Sequence, residues 1–319
     1  MTAPARRPAP LPSEFGLPEQ APVVAQSAGA GEHARARVDA QLRALLACQD
    51  GTRSGADPED LHQFRVAIRR LRSLLKTSPM FGADGEAVRA ELSRLGTITG
   101  PVRDLDVLLM RLNDDVADFD PVDRAAAATL ISALRRERGH DRRTLNRALS
   151  SPRYAKLLAG IAALATAKDH DTDADSALPE RDGTKLLASL RKPFRKLARA
   201  VDTLAEDPLD DDLHELRILG KRLRYAAETA LPSARKSDTR QLKAVIKECK
   251  ALQDLLGEHQ DAVVAAERIR GLAAQSEADA RVAFVAGRIV EREHARRAQV
   301  RATWPAVWHR ISDSAVPLL

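Results

Sequence analysis

Apolar and polar residues follow one another along most of this chain with the period of an α-helix. The helix predicted for residues 58–77 shows the pattern best. Its apolar residues recur every three or four positions and share one face: Leu61, Phe64, Ile68, Leu71 and Leu75. β-branched residues are sparse, and no stretch has the alternation of a β-strand. The pattern therefore predicts an all-α protein from about residue 24 onward.

Clusters of Gly, Ser, Asp and Pro interrupt the helical pattern and divide the chain. They fall at residues 51–58, 78–85, 118–121, 150–152, 168–183, 207–208 and 232–238. The longest break is acidic and polar, which predicts a linker between two halves. The segment before the first helix is rich in Pro and Ala, which predicts a disordered tail. The predicted divisions are a tail at 1–22, a first helical bundle at 23–167, the linker at 168–183 and a second bundle at 184–319.

The two halves have similar sequences. Asp57-Pro58 and Asp207-Pro208 each precede a predicted helix, with Asp suited to the N-cap and Pro to the first turn. Three matches then follow in the same order, at shifts of 152, 157 and 154 residues: 60–72 with 212–224, 100–104 with 257–261, and 138–147 with 292–301. Three matches at nearly one offset predict a tandem duplication of a unit of roughly four helices.

A stripe of basic residues borders the apolar face of the helix at 58–77. On a helical wheel it is about 80° wide and contains His62, Arg65, Arg69, Arg72 and Lys76, with Arg70 in the same motif. The second half repeats it with His214, Arg217, Lys221 and Arg224, with Arg222 in the same motif, and the repeated stripe ends at Glu228. Like charges at these spacings repel, so the stripe lowers helix stability unless an anion lies along it. Arg is also suited to bidentate phosphate contacts.

Other basic groups add to the two stripes. We predict that they contribute to the same anion-binding surface: Arg138, His140 and Arg142; Lys192, Arg195, Lys196 and Arg199; Lys243, Lys247 and Lys250; and Arg292 and Arg296. The alternative is a solvated charged face, or arginines paired with Asp and Glu of neighbouring helices, and the sequence leaves it open. The two copies of the second match begin at Gly100 and Gly257, which mark a kink, a cap or a close helix crossing.

Composition narrows the chemistry further. The chain has 51 Lys and Arg against 45 Asp and Glu, a net charge of +6 that attracts anions. Cys48 and Cys249 are isolated and are predicted to be buried thiols in a reducing cytoplasm. No apolar run reaches the ~18 residues needed to span a bilayer, and no apolar segment of a secretory signal follows Arg6 and Arg7. We therefore expect a cytoplasmic protein without a membrane partner.

No motif for catalysis or a cofactor is present. The sequence has no P-loop, no acidic metal cluster, and no histidine pair with metal-ligand spacing. His62 and His214 are interpreted as anion contacts or as structural hydrogen-bonding groups. Asp104, Asp106 and Asp261 are predicted to cap helices or to pair with arginines, and the alternative is a divalent cation beside a bound anion. A protein without enzymatic activity, metal or cofactor is expected.

The repeated element His-x-x-Arg-[Val/Ile]-x-x-[Arg/Lys]-Arg-Leu-Arg, at 62–72 and 214–224, resembles the CHAD family of α-helical domains named for their histidines. The [Arg/Gln]-Asp pairs at 103–104 and 260–261 fit the family too, and the resemblance covers residues 23–315. It implies two four-helix bundles related by pseudo-twofold symmetry, with a basic channel or groove. It also implies non-catalytic binding of inorganic polyphosphate and association with polyphosphate granules. The E-x-E-x-K signature of triphosphate-processing domains is absent from this sequence.

Two other readings of the basic residues stay open. A nucleic-acid binder, or a general polyanion binder, is compatible with the charge. Against single-stranded nucleic acid, the chain has only two Trp, two Tyr and six Phe to serve as stacking platforms, and no motif that reads duplex DNA is visible. A scaffold that meets an acidic partner protein is the remaining alternative.

Overall fold

Helices make up most of the part of the chain that the computed structural model describes: residues 11–25, 28–167, 183–231, 234–275 and 279–318. Within these ranges it has no strand and nine α-helices: α1 (Ala30–Ser54), α2 (Pro58–Thr77), α3 (Gly82–Asp115), α4 (Pro121–Leu149), α5 (Pro152–Thr166), α6 (Gly183–Asp202), α7 (Asp210–Ala230), α8 (Lys236–Gln275) and α9 (Ala280–Ala315). Short 3-10 helices lie at Pro12–Phe15, Pro79–Phe81 and Val316–Leu318. The all-α prediction is confirmed.

The helices form two compact units. The first contains residues 1–111 and 131–173, and the second contains 112–130 and 174–319. The sequence repeat assigns 112–130 to the first half, whereas in the structure these residues join the second unit because their carboxylates pair with arginines of α9. The tandem duplication itself stays a prediction. Most of the predicted linker, residues 168–182, lies outside the described residues.

The core of the first unit confirms the apolar pattern of α2. Its predicted apolar face is buried: Leu61, Phe64, Ile68, Leu71 and Leu75. Asp57 caps the helix as expected, since its carboxylate accepts a hydrogen bond from the backbone N–H of Glu59 at 2.8 Å. α2 packs against α1, and α1 packs against α5, where the Tyr154 hydroxyl donates to Gln49 Oε1 at 2.8 Å. Burial of the apolar face thus leaves the neighbouring basic stripe at the edge of the core.

α7 has the same role in the second unit, but it begins differently. Its apolar residues Leu213, Leu216 and Leu223 are buried, and it packs against α6 and α8. The sequence predicts that Asp207 caps this helix, but α7 starts only at Asp210. The Asp207 carboxylate accepts a hydrogen bond from Arg301 Nη1 at 2.7 Å instead. An arginine from α9 has therefore replaced the helix N-terminus as the partner of this carboxylate.

The N-terminal segment has more structure than its composition predicts. Residues 1–10 lie outside the described residues, but Leu17 is buried against the first unit. The guanidinium of Arg43 in α1 donates to the backbone carbonyls of Pro18 and Glu19, at 2.7 and 3.0 Å. These contacts hold part of the predicted disordered tail, within 11–20, against α1.

Two further expectations can be compared with the described residues. None of the helices found there is both long and apolar enough to cross a membrane. Cys48 and Cys249 are both free thiols, with Cys249 buried and Cys48 half-buried. Burial raises the pKa of the Cys249 thiol to about 12, so this cysteine is uncharged at neutral pH.

Candidate anion-binding site

The basic stripe of α2 is largely open to solvent. His62 is half-buried, and the cations that follow it are exposed: Arg69, Arg70, Arg72 and Lys76. Within the described part of the chain, none of these five side chains has a carboxylate or hydrogen-bond partner. The structure therefore leaves four neighbouring cations on one helix without neutralisation.

Arg65 differs from the other members of the stripe because it reaches the next helix. It is half-buried, and its Nη1 donates to the Gly96 carbonyl at 3.2 Å and to Thr99 Oγ1 at 3.1 Å. Burial lowers the pKa of the Arg65 guanidinium, while the nearby Asp104 carboxylate raises it. Arg65 thus links α2 to α3 as well as adding positive charge.

Two glycines make room for the half-buried arginines of the two stripes. A Cβ atom at Gly100 of α3 would lie 3.4 Å from Arg65 Nη1. A Cβ atom at Gly257 of α8 would lie 3.3 Å from Arg217 Nη2, in the same arrangement within the second unit. Of the three roles open to these glycines, the structure favours a close crossing, in which an arginine side chain lies over the neighbouring helix.

The stripe of α7 is partly neutralised. His214, Lys221 and Arg222 are exposed, and Arg217 is half-buried. Arg224 Nε lies 3.4 Å from Glu228 Oε1. The exposed ring of Tyr225 has Lys221 Nζ at 5.7 Å and the Arg224 guanidinium at 5.1 Å from its centre. Since Glu228 stands where α2 has Lys76, the second stripe has a weaker positive potential than the first.

α6 and α8 add exposed cations next to α7. All seven predicted residues on these helices are exposed and unpaired within the described ranges: Lys192, Arg195, Lys196 and Arg199 on α6, and Lys243, Lys247 and Lys250 on α8. α7 packs against both helices. In the second unit, three helices that have exposed cations are therefore neighbours.

The predicted cluster on α4 consists of two arginines that have partners within the protein and one exposed histidine. Arg138 forms an ion pair with the buried carboxylate of Asp106. Arg142 Nη2 donates to the Arg53 carbonyl at 2.7 Å and so stabilises the end of α1. Burial lowers the pKa of the Arg142 guanidinium. His140 is exposed. A ligand that bound Arg138 or Arg142 would have to compete with the Asp106 carboxylate or with the Arg53 carbonyl.

The predicted cluster on α9 is almost fully paired. Arg292 Nη2 donates to Asp118 at 2.8 Å, and Arg296 Nη1 donates to Glu293 at 2.8 Å. Arg296 also donates to Asp115, and this contact is the main cause of the raised pKa of its guanidinium. The side chains of Asp115 and Glu293 are 0% exposed. Arg296 therefore neutralises two buried carboxylates, and both arginines hold α9 against the end of α3 and the connection that follows it.

A second carboxylate centre in the same unit was not predicted. The Asp210 carboxylate accepts hydrogen bonds from Arg297 Nη2 at 2.6 Å and Arg301 Nη2 at 2.7 Å. Desolvation would raise the Asp210 pKa, but these hydrogen bonds outweigh it and the pKa is lowered. The buried His259 ring lies 3.3 Å from the same carboxylate. In the sequence repeat His259 aligns with Val102, so the repeat does not predict a functional histidine at this position.

An open cavity of about 490 Å³ lies at the end of α4 in the first unit. Its lining is His140, Arg143, Asn146, Arg147 and Ser150. Only His140 is among the predicted site residues. The signal for the others is the match of 138–147 with 292–301, which contains Arg143 and Arg147. In the described part of the chain, no group of three or more His, Cys, Asp or Glu side chains has the arrangement of a metal site.

The chain has relatives among curated sequences. The sequence model of the CHAD domain matches residues 36–270. An uncharacterised protein of Mycobacterium tuberculosis, matched in two strains, is 34% identical over 241 residues. The match covers 73% of this chain and 44% of the relative, so the chain spans less than half the length of these relatives.

Solved structures have the same fold. The crystal structure of the CHAD domain from the plant Ricinus communis superposes with a TM-score of 0.60 and 28% identity, covering 93% of this chain and 95% of that one. PptA from Streptomyces chartreusis also has a TM-score of 0.60, at 20% identity and with 88% and 99% coverage, which shows a likeness of fold alone. With its repeated histidine and arginine motif, its helical fold and these matches, the chain belongs to the CHAD domain family.

Proposed function

We propose that this protein binds inorganic polyphosphate without chemically changing it. The ligand would lie along the exposed cations of α2, and along those of α6, α7 and α8 in the second unit. The CHAD family is associated with polyphosphate. Binding of this ligand would also bring the protein to polyphosphate granules, which we include in the proposal.

The observation that carries the proposal is the absence of partners for the α2 cations within the described residues. From His62 to Lys76 the stripe is about 21 Å long at the rise of an α-helix. The cations along it repel one another, and that repulsion is a cost to the folded protein. A flexible linear polyanion can neutralise several of them at once, because its charges repeat along its length.

The charges of α9 provide the internal contrast. There, Arg292, Arg296, Arg297 and Arg301 each have a carboxylate partner. Arginine runs in this protein are therefore not left unpaired as a general rule. This makes the unpaired set on α2 and α6–α8 the better candidate for the binding surface, and it makes Arg292 and Arg296 weaker candidates than their sequence indicates.

Titration calorimetry with long-chain polyphosphate tests the proposal. The variant Arg69→Gln with Arg72→Gln removes two exposed, unpaired cations from α2. Each contact with a charged group is worth at least about a tenfold change in affinity where it is well formed. We expect the double variant to bind at least about tenfold more weakly. The slope of log affinity against log salt should fall by about 1 for each removed cation.

A matched control removes the same charge elsewhere in the first unit. Arg89 and Arg153 are paired with Glu86 and Glu91, at 2.5 Å in both cases. The double variant Arg89→Gln with Arg153→Gln should keep nearly the parent affinity. Equal losses in the two double variants would mean that net charge, rather than the α2 stripe, controls binding, and would contradict the proposed site.

A second candidate function, binding of single-stranded nucleic acid, is favoured by one residue. Tyr225 is 45% exposed beside Lys221 and Arg224, so it offers one stacking platform next to cations. Single-stranded DNA and heparin are therefore the comparison ligands in the same buffer. Much tighter binding of polyphosphate supports the proposal. Equal binding of all three would indicate a general polyanion surface, and loss of DNA binding in Tyr225→Ala would indicate stacking.

A further inference from the structure

The cavity at the end of α4 is lined by hydrogen-bond donors that have no anionic partner among the described residues. Arg143 is exposed and has no partner among the described residues. Arg147 Nη2 donates to Thr144 Oγ1 at 3.1 Å, a neutral group that leaves its charge uncompensated. Ser150 Oγ accepts from Arg53 Nη1 at 2.9 Å, so its own O–H is free to donate. Two guanidinium groups and a hydroxyl thus surround an open space of about 490 Å³.

The matching arginines of the second unit surround a carboxylate. At the offset of 154 residues that aligns α4 with α9, Arg143 corresponds to Arg297 and Arg147 to Arg301. Arg297 and Arg301 both donate to Asp210, and Arg301 also donates to Asp207 at 2.7 Å. In the second unit, two arginines one turn apart therefore hold an anionic group that the chain itself supplies.

Among the described residues of the first unit, no carboxylate pairs with Arg143 or Arg147. The carboxylates nearest the start of α2 have other positions: Asp57 caps α2, and Asp60 lies against Gly51 of α1. Neither belongs to the lining of the cavity. The two cations are one turn apart on one helix, so they repel and bind an anion more favourably than a single arginine would.

We propose that this cavity is a binding site for one phosphate group, held by Arg143 and Arg147 with Ser150 donating a third hydrogen bond. The ligand takes the place that Asp210 occupies between the arginines of the second unit. It is either free inorganic phosphate or the terminal phosphate of a polyphosphate chain. None of the lining residues belongs to the α2 stripe, and binding of free phosphate in the cavity does not depend on the proposed binding of long chains.

The test measures binding of inorganic phosphate and of tripolyphosphate to the full chain by calorimetry, at millimolar ligand. Arg143→Gln with Arg147→Gln should weaken the binding of phosphate by at least about tenfold, since two charge-assisted contacts are lost. Arg89→Gln with Arg153→Gln, which removes the same charge from two ion pairs outside the cavity lining, should leave it unchanged. If only tripolyphosphate binds, and the Arg143/Arg147 variant loses that binding while the control variant keeps it, the site takes the ends of polyphosphate chains.

A second experiment uses a variant that places a carboxylate in the site and should make the protein more stable. Ser150→Asp places a carboxylate at the edge of the cavity, where it can pair with the two arginines as Asp210 does in the second unit. It should abolish phosphate binding and raise the melting temperature. The proposal is overturned if neither ligand binds the parent protein, or if the Arg143/Arg147 variant binds the ligand as tightly as the control variant does.

The outcome can be separated from that of the long-chain experiment. If Arg69→Gln with Arg72→Gln loses long-chain affinity but keeps phosphate binding, both sites stand. If long chains fail to bind while phosphate still binds through Arg143 and Arg147, the α4 site stands and the proposed function fails.

Discussion

α2 and α9 both have a cation on nearly every turn, yet their surroundings differ. Arg296 of α9 contacts the buried carboxylates of Asp115 and Glu293, whereas Arg69 and Arg72 of α2 face solvent. The carboxylates that pair with Arg296 come from its own helix and from the end of α3. A run of arginines therefore does not by itself identify a binding surface. The position of acidic residues on the neighbouring helices decides whether the run stabilises the fold or remains available to a ligand.

The comparison predicts its largest effect at Arg296. Arg296→Ala would leave two carboxylates, both with 0% exposed side chains, without their strongest partner. Removal of one member of a buried ion pair costs about 3–5 kcal/mol, and we expect the lower end because Arg296 itself is partly exposed. Thermal or urea unfolding, followed by circular dichroism, measures the change.

Arg89→Ala is the control for this prediction. Arg89 also pairs with a carboxylate, but Glu86 is 63% exposed on the same helix surface. Exposed ion pairs contribute about 0–1 kcal/mol, so the stability of this variant should stay within that range. If Arg296→Ala were as stable as Arg89→Ala, the α9 arginines would not be needed for the fold. That result would favour the prediction that they bind the anion.

A smaller effect separates two residues of α2 itself. Arg65 donates to Gly96 and to Thr99, which is buried, so Arg65→Ala removes two hydrogen bonds between α2 and α3. We expect a loss of about 1–2 kcal/mol of stability. Arg69→Ala, four residues later on the exposed part of the stripe, should change stability by less than about 0.5 kcal/mol while it weakens polyphosphate binding. Equal stabilities for the two variants would contradict the proposal that Arg65 stabilises the contact between α2 and α3.

The features that sequence predicts well here are local. The apolar face of α2, the N-cap at Asp57 and the exposure of the α6 and α8 cations all follow from spacing within one helix. Each depends on residues less than about one or two turns apart, where helical geometry fixes the neighbours. The repeat also located Gly100 and Gly257, although only the structure shows the arginine that lies over each.

The features that sequence does not predict join distant segments. Arg296 and its partner Asp115 are 181 residues apart, and Arg301 and Asp210 are 91 apart. Helical periodicity contains no information about which carboxylate meets which arginine at such separations. For the same reason the sequence could not distinguish Arg292 and Arg296, which are paired, from Arg69 and Arg72, which are free of carboxylate partners in the described residues.

The smallest effect is a dependence of stability on pH at His259. This ring is buried beside Asp210, Arg297 and Arg301. Desolvation lowers the pKa of its imidazole, the Asp210 carboxylate raises it, and the two arginines lower it again, so that the net pKa is below its usual value. In the unfolded chain the pKa is about 6.5. Between the folded pKa and about 6.5, the unfolded state binds more protons, so the free energy of unfolding rises with pH in that window and is level above it.

His259→Gln removes this titration while it keeps a polar side chain of moderate size. The parent protein should therefore lose stability as pH falls from about 7.5 to below about 6.5, and the variant should lose less. Unfolding in urea at several pH values measures both slopes, and the remaining histidines cancel because both proteins contain them. The effect is small because Asp210 offsets part of the cost of charging the ring. Parallel slopes would mean that the ring has the same pKa in the folded and the unfolded protein, with Asp210 balancing the desolvation and the two arginines.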